Sequence, residues 1–228
     1  TLPFAPVLAQ EGGKPAVEAK PAALVADGVP DVPADLPAVT RPYMENRSAG
    51  FVGWNEVDRS MLIATRFGNT NQIHRVAMPM GARQQLTFEA EPVGLGGWSP
   101  ATADIMVIQK DIGGNEFFQL YALKDGRLQL LTDGKSRNGF NAWSRDGTML
   151  AYTSTRRTGR DSDIYVMNPR DPASNRMVAQ VAGGGWAVND FAPDKRWAIV
   201  SQYVSVEKAD LFRLDMATGA LTPIGDHK

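Results

Sequence analysis

Trp143-Ser144-Arg145-Asp146-Gly147, then Met149-Leu150-Ala151-Tyr152-Thr153-Ser154, then Asp163-Ile164-Tyr165-Val166-Met167: this run of residues decides the fold, because the chain repeats it. A second copy reads Trp98-Ser99-Pro100, Ile105-Met106-Val107-Ile108 and Gln119-Leu120-Tyr121-Ala122-Leu123. A third reads Phe191-Ala192-Pro193-Asp194, Trp197-Ala198-Ile199-Val200-Ser201 and Asp210-Leu211-Phe212-Arg213-Leu214. The most worn copy comes first in the chain: Trp54, Met61-Leu62-Ile63-Ala64-Thr65 and Gln72-Ile73-His74-Arg75-Val76. The leading aromatics are 44, 45 and 48 residues apart. A Leu-Thr pair at Leu86-Thr87, Leu131-Thr132 and Leu221-Thr222 reads as a closing strand. A period in the mid-forties with several short strands per unit predicts the blades of a β-propeller.

Within the clearest copy, Phe140 to Trp143 is a short apolar strand, and Asp146-Gly147 supplies a residue that tolerates positive φ in the following turn. Residues 149–154 and 163–168 are strands, 169–175 a polar turn, and 177–181 a fourth, outer strand. The fold class is therefore all-β, a propeller of four-stranded blades. About four blades are expected, at 48–90, 91–135, 136–182 and 183–228, forming an incomplete propeller. The leading aromatics Trp54, Trp98, Trp143 and Phe191 read as wedges between neighbouring blades. The second-to-third-strand loops, 66–71, 110–117, 155–162 and 202–209, share one rim of an antiparallel meander, and recognition usually sits on such loops.

The net charge of −1 and the lack of a basic stripe argue against a nucleic-acid partner. There is no cysteine, which excludes disulfides and thiolate metal sites. No apolar run is long enough to span a membrane. Val7-Leu8-Ala9-Gln10 resembles a signal-peptidase site, so residues 1–9 read as a signal-peptide remnant and the protein as periplasmic or secreted. Residues 10–46 are rich in proline and alanine and read as extended or disordered, with 31–43 as an extended strap. Residues 47–228 form the partial propeller. The repeat still runs at the last residues, so the sequence is expected to be part of a longer protein and, alone, to self-associate.

The residues offer no catalytic constellation. Ser99 lies in Gly97-Trp98-Ser99-Pro100-Ala101, which lacks the last glycine of a nucleophile elbow and falls on a blade turn. Of two histidines, His74 takes the place of Tyr121, Tyr165 and Phe212 in the repeat, and His227 is in the tail. Asp161 and Asp163 are too few ligands for calcium. Gly113-Gly114 and Gly183-Gly184-Gly185 lack the context of a phosphate loop. No catalytic residue, metal site or cofactor is expected.

The blade repeat resembles that of the periplasmic Tol-system propeller and of prolyl-oligopeptidase-type serine peptidases. Three strings favour the acylaminoacyl/dipeptidyl-peptidase branch: Leu62-Ile63-Ala64-Thr65-Arg66-Phe67-Gly68-Asn69, Asp111-Ile112-Gly113-Gly114-Asn115-Glu116-Phe117-Phe118-Gln119-Leu120-Tyr121, and Gly183-Gly184-Gly185-Trp186. The resemblance implies a propeller that filters short peptide substrates for a serine-dependent α/β-hydrolase domain, which this chain does not contain. Some members hold the peptide amino terminus with paired glutamates, and no Glu-Glu pair occurs here. The substrate-rim candidates are Arg66, Asn115, Glu116, Arg156, Arg157 and Glu207, with loop salt bridges to Arg66 or Lys208 expected for the two glutamates. The alternative is a non-enzymatic envelope propeller that binds a protein partner. A propeller-fold polysaccharide lyase is disfavoured, because such sites generally use several histidines and a metal.

Overall fold

The computed structural model describes residues 16–225. Four antiparallel four-stranded sheets follow one another along the chain. The first holds β1 (Ala49–Trp54), β2 (Met61–Thr65), β3 (Gln72–Val76) and β4 (Arg83–Gln85). The second holds β5 (Gly94–Trp98), β6 (Met106–Lys110), β7 (Gln119–Lys124) and β8 (Arg127–Leu130). The third holds β9 (Asn138–Trp143), β10 (Leu150–Ser154), β11 (Asp163–Asn168) and β12 (Asp171–Ala179). The fourth holds β13 (Trp186–Phe191), β14 (Trp197–Ser205), β15 (Lys208–Asp215) and β16 (Leu221–Ile224). Each is a simple meander, so each repeat is one propeller blade.

Strand residues alternate between the two faces of a sheet, and here each face meets a different neighbour. Leu62, Ala64 and Ile73 of the first blade pack against Met106, Ile108, Tyr121 and Leu123 of the second. The second blade's other face, Val107, Leu120 and Ala122, meets Leu150, Tyr152, Tyr165 and Met167 of the third. The third turns Ala151, Ile164 and Val166 to Ala198, Val200, Phe212 and Leu214 of the fourth. Burial on both faces is why the inner strands are written as continuous apolar runs.

The innermost strands carry one extra residue each, seen as register shifts between Phe51 and Gly53, Leu95 and Gly97, Phe140 and Ala142, and Val188 and Asp190. Such a bulge bends the strand and turns an unpaired residue toward its neighbour. In the second blade that residue is Gly96. A Cβ there would stand 2.8 Å from the Phe140 ring, so only glycine lets β9 approach. The Gly96 carbonyl accepts the Trp143 Nε1–H at 3.1 Å, which seats this wedge on the preceding blade. The Phe140 amide donates to Gln109 and the Val188 amide to Asn141 Oδ1, two further ties between blades.

The turn from first to second strand holds one left-handed residue in every blade: Arg59, Ala103, Gly147 and Lys195, with φ of 63, 49, 65 and 57°. Only one of the four is glycine, although a side chain costs about 1–2 kcal/mol in that conformation. Ala103→Gly is therefore expected to raise stability by roughly 1 kcal/mol less the entropy glycine loses on folding. The shift in denaturant midpoint at unchanged slope measures it.

Within the propeller, four expectations about strands and wedges are corrected. Leu221-Thr222 is not the counterpart of the other Leu-Thr pairs. The Leu86 and Leu131 amides bond to the Ile73 and Leu120 carbonyls, whereas the equivalent Leu211 lies opposite Ile224, and Leu221 lies opposite Leu214. The supposed loop 202–209 is mostly strand, because β14 and β15 extend to a tight turn at Val206 and Glu207. The outer strand of the third blade begins at Asp171, inside the segment read as a turn. Trp54 is not wedged between described blades and is 59% exposed.

The described residues 16–47 belong to a separate compact unit. Its helix α1 (Leu36–Met44) replaces the expected extended strap. Proline in the first turn favours a helix start, Thr40 Oγ1 bonds back to Leu36, and Arg41 pairs with Glu45 one turn on. No residue of α1 is buried. An isolated bridge joins Val17 and Pro33. The signal remnant at 1–9 and His227 lie outside the described residues.

Candidate functional site

The second-to-third-strand loops and the connectors between blades gather on one rim, and a repeated polar network fixes them. In the first three blades the residue that opens the third strand reaches into the connector to the next blade. Gln72 Nε2 donates to the Glu89 carbonyl and its Oε1 accepts the Glu89 amide. Gln119 Oε1 accepts from Thr132, the Gly134 amide and Asn138, while its Nε2 donates to the Ser136 carbonyl. Asp163 accepts the Val181 amide at 2.9 Å. The Thr87 and Thr132 hydroxyls accept the Ile73 and Leu120 amides, which is the physical role of the first two Leu-Thr pairs.

On this scaffold the rim candidates take different positions. Arg157 is the counter-ion of a buried carboxylate: its Nε and Nη2 hold both oxygens of Asp163 at 2.7 and 2.9 Å. Asp163 is fully buried, so this fork is structural work that Arg157 performs whatever else it meets. Arg156 lies over the Tyr165 ring at 4.4 Å and reaches Asn175. Tyr152 stacks on Tyr165 and donates to Asn175, and burial pushes its hydroxyl up to about 12, so it stays a neutral donor. Arg66 is half-buried beside the exposed Phe67, and Glu207 sits at the tip of the β14–β15 turn.

Asn115 and Glu116 belong to a tightly held loop. Gly113, Gly114 and Glu116 all have positive φ, of 64, 73 and 61°. Asp111 Oδ2 accepts the Glu116 amide and Glu91 Oε1 accepts the Gly113 amide. Asn115 Oδ1 accepts the Phe117 amide. The Glu116 carboxylate is thereby turned outward to Arg137 Nη2 at 3.2 Å, not to Arg66, and Arg137 also lies over the Phe117 ring. Lys208 reaches Asp210 at 3.9 Å rather than Glu207. The structure thus joins Glu116 to Arg137, a residue outside the candidate set. Sequence reasoning passed over Arg137 because it lies in a connector, not in a second-to-third-strand loop.

The opposite rim is stapled by charge. Arg170 of the third blade pairs with Asp104 of the second and donates to Thr102, Ser99 and the Gly147 carbonyl. Ser99 is 1% exposed and held there, which fits a turn residue. Lys195 of the fourth blade pairs with Asp146 of the third. The hydrogen bond from Arg170 holds the Asp104 carboxyl well below the usual range, and that from Lys195 does the same for Asp146. A depressed carboxyl pKa gives stability that is present above the unfolded value near 4 and lost as pH falls below it. The melting temperature is expected to drop between pH 5 and 3 by less in Asp104→Asn and Asp146→Asn than in the parent chain, read by thermal scans across that range.

A cavity of about 400 Å³ on this rim is lined by Ile105, Lys124, Asp125, Arg127, Gln129 and Arg170. Two others, of about 660 and 400 Å³, adjoin at Trp54, Arg59 and Pro79 of the first blade, the smaller also lined by Met61, Met78 and Met80. Among the described residues no three of histidine, cysteine, aspartate and glutamate come together to hold a metal ion. No described helix is long and apolar enough to cross a membrane.

No family model and no curated protein matches the sequence. Solved structures do match the fold. TolB from Acinetobacter baumannii superimposes with a TM-score of 0.57 at 16% identity, covering 77% of this chain and 42% of that one. A prolyl endopeptidase studied for inter-domain dynamics in catalysis and specificity gives 0.57 at 12% identity, over 78% of this chain and 29% of that one. An oligogalacturonate lyase in complex with manganese gives 0.55 at 16% identity, over 72% and 43%. The chain spans well under half the length of these three proteins, and what it shares with them is the propeller fold.

Proposed function

We propose that this chain is propeller sequence of a periplasmic or secreted serine peptidase, serving to filter short peptide substrates for a catalytic α/β-hydrolase domain elsewhere in the polypeptide. The observation that carries the reading is the loop 111–117. It is the segment with the most peptidase-like string, and it is braced by Asp111 and Glu91 so that one carboxylate, Glu116, faces outward on the recognition rim. A peptide ammonium competes with Arg137 for that carboxylate, as an exposed ion pair can be exchanged at small cost. The likeness to a prolyl endopeptidase propeller supports the same reading. The second reading, an envelope propeller that binds a protein partner, is supported by the likeness to TolB.

The test is fluorophosphonate labelling of the native polypeptide that carries this sequence, followed by peptide mapping. One labelled serine outside residues 1–228 is expected, with Glu116→Gln raising KM for peptides with a free amino terminus while kcat holds. An unlabelled native protein sinks the peptidase reading and leaves the partner-binding one.

A further inference from the structure

The β7–β8 hairpin of the second blade closes on a pair of cations. Its turn is Asp125-Gly126, both left-handed with φ of 51 and 72°, the geometry of a type I′ hairpin. Lys124 and Arg127 flank the turn and lie directly opposite one another in the ladder. Like charges at opposed positions destabilise a sheet. Neither side chain has an ion pair or hydrogen bond among the described residues to offset this. The fold does not require the pair, because the same place on the third blade holds Asn168 opposite Asp171.

The two cations stand at an enclosed space. Ala122 lies opposite Gln129 in the same ladder, so Lys124, Arg127 and Gln129 share with Ala122 the face that meets the third blade. There they line the cavity of about 400 Å³ between the second and third blades, a volume suited to a small molecule. Ile105 and Ala122, each 2% exposed, give it an apolar lining. Arg170 closes it from the third blade. That guanidinium is already neutralised by Asp104 and donates to the Gly147 carbonyl, so it holds the crevice in shape and leaves Lys124 and Arg127 as the uncommitted charges. Asp125 and Gln129 add a carboxylate and an amide to the lining.

We propose that this crevice binds a small phosphomonoester that also carries hydroxyl groups. Such a phosphate bears a charge of about −1.5 to −2 at neutral pH, which matches two adjacent free cations, whereas a single carboxylate would leave one of them unpaired. Arginine offers the phosphate a planar fork and lysine a mobile point charge. Ligand hydroxyls donate to the Asp125 carboxylate, and the Gln129 amide can donate or accept. A bound phosphate also removes the repulsion between Lys124 and Arg127. The crevice lies on the rim opposite the loop 111–117, and the inference is independent of the peptidase reading.

Isothermal titration of glycerol 3-phosphate into the native polypeptide that carries this sequence, at constant ionic strength, tests it. Saturable binding is expected. Lys124→Asn and Arg127→Asp should each weaken it at least about tenfold, since each removes a charge-assisted hydrogen bond. Both variants copy what the third blade carries at the same place, so without ligand the melting temperature should hold or rise as the repulsion disappears. Gln129→Ala should weaken glycerol 3-phosphate and leave inorganic phosphate unchanged. An absence of saturable heat, or binding that survives both charge variants, overturns the site. A melting temperature lowered in both variants makes the pair structural and has the same consequence. Succinate bound as tightly sinks the phosphate assignment, and inorganic phosphate bound as tightly removes the hydroxyl contacts of Asp125 and Gln129. Labelling of the native serine is unaffected by any of these outcomes.

Discussion

Trp143→Ala is expected to destabilise the propeller by about 3–5 kcal/mol, the range for truncating a large packed aromatic. The ring fills the space between the second and third blades, beside Phe140 at 6.4 Å, and its Nε1–H is the donor to Gly96. Removing it opens a void that β5 and β9 cannot close, because both are fixed by their own ladders. It also leaves the Gly96 carbonyl without that donor. Trp54→Ala, at the same place in the repeat but 59% exposed, is expected to cost less than about 0.5 kcal/mol, the usual range for a surface change. Chemical denaturation of both variants gives the comparison. Equal losses would mean that Trp143 does not act as a wedge.

A second matched pair concerns the third strands. Ile164→Ala is expected to cost about 2–5 kcal/mol, the transfer term plus the cavity left in a packed core. Ile164 is fully buried among Ala151, Val166, Ala198 and Val200. Leu211→Ala removes the equivalent side chain from a face with no described neighbour, and less than about 1 kcal/mol is expected from the area it still covers. Hydrogen exchange offers a second readout: the Ile164 variant should lose protection in both the third and fourth blades, and the Leu211 variant only locally. Similar losses at the two positions would contradict the assignment of faces.

These pairs show where the sequence speaks and where it stops. The repeat of a leading aromatic, an apolar second strand and an alternating third strand gave four blades with strands close to those observed, since each blade folds on local rules of alternation and turn chemistry. Gly147 marked a left-handed turn correctly. Arg59, Ala103 and Lys195 hold the same conformation with no local signal, because the surrounding ladder imposes it. His74 was legible as a stand-in for an aromatic. It is 1% exposed, with the Phe67 ring edge-on at 5.4 Å and Nδ1 facing the Gln72 carbonyl, while Nε2 has no hydrogen-bond partner.

The rim was legible only as a set of loops. Which of its charges is committed depends on residues far apart in sequence: Arg157 is taken by Asp163 and Val181, and Glu116 by Arg137. Nothing in the spacing of these residues foretells the pairing, because the connector that carries Arg137 is brought there by the packing of the second blade on the third. The error at Leu221-Thr222 has the same origin. A two-residue match at a multiple of the period looks like a repeat, but strand register is set by which side chains must face the neighbouring blade, and a slip reverses them.

By itself, then, the sequence determined the blade: its length, its four strands, its turns and its two apolar faces, all consequences of interactions within about 45 residues. Only the tertiary structure decided which face of each blade is covered, which aromatic is a wedge and which is bare, and which arginine is a counter-ion. Those outcomes depend on contact between one repeat and the next. Identical positions in a repeat acquire different roles as soon as one of them has a neighbour and the other does not.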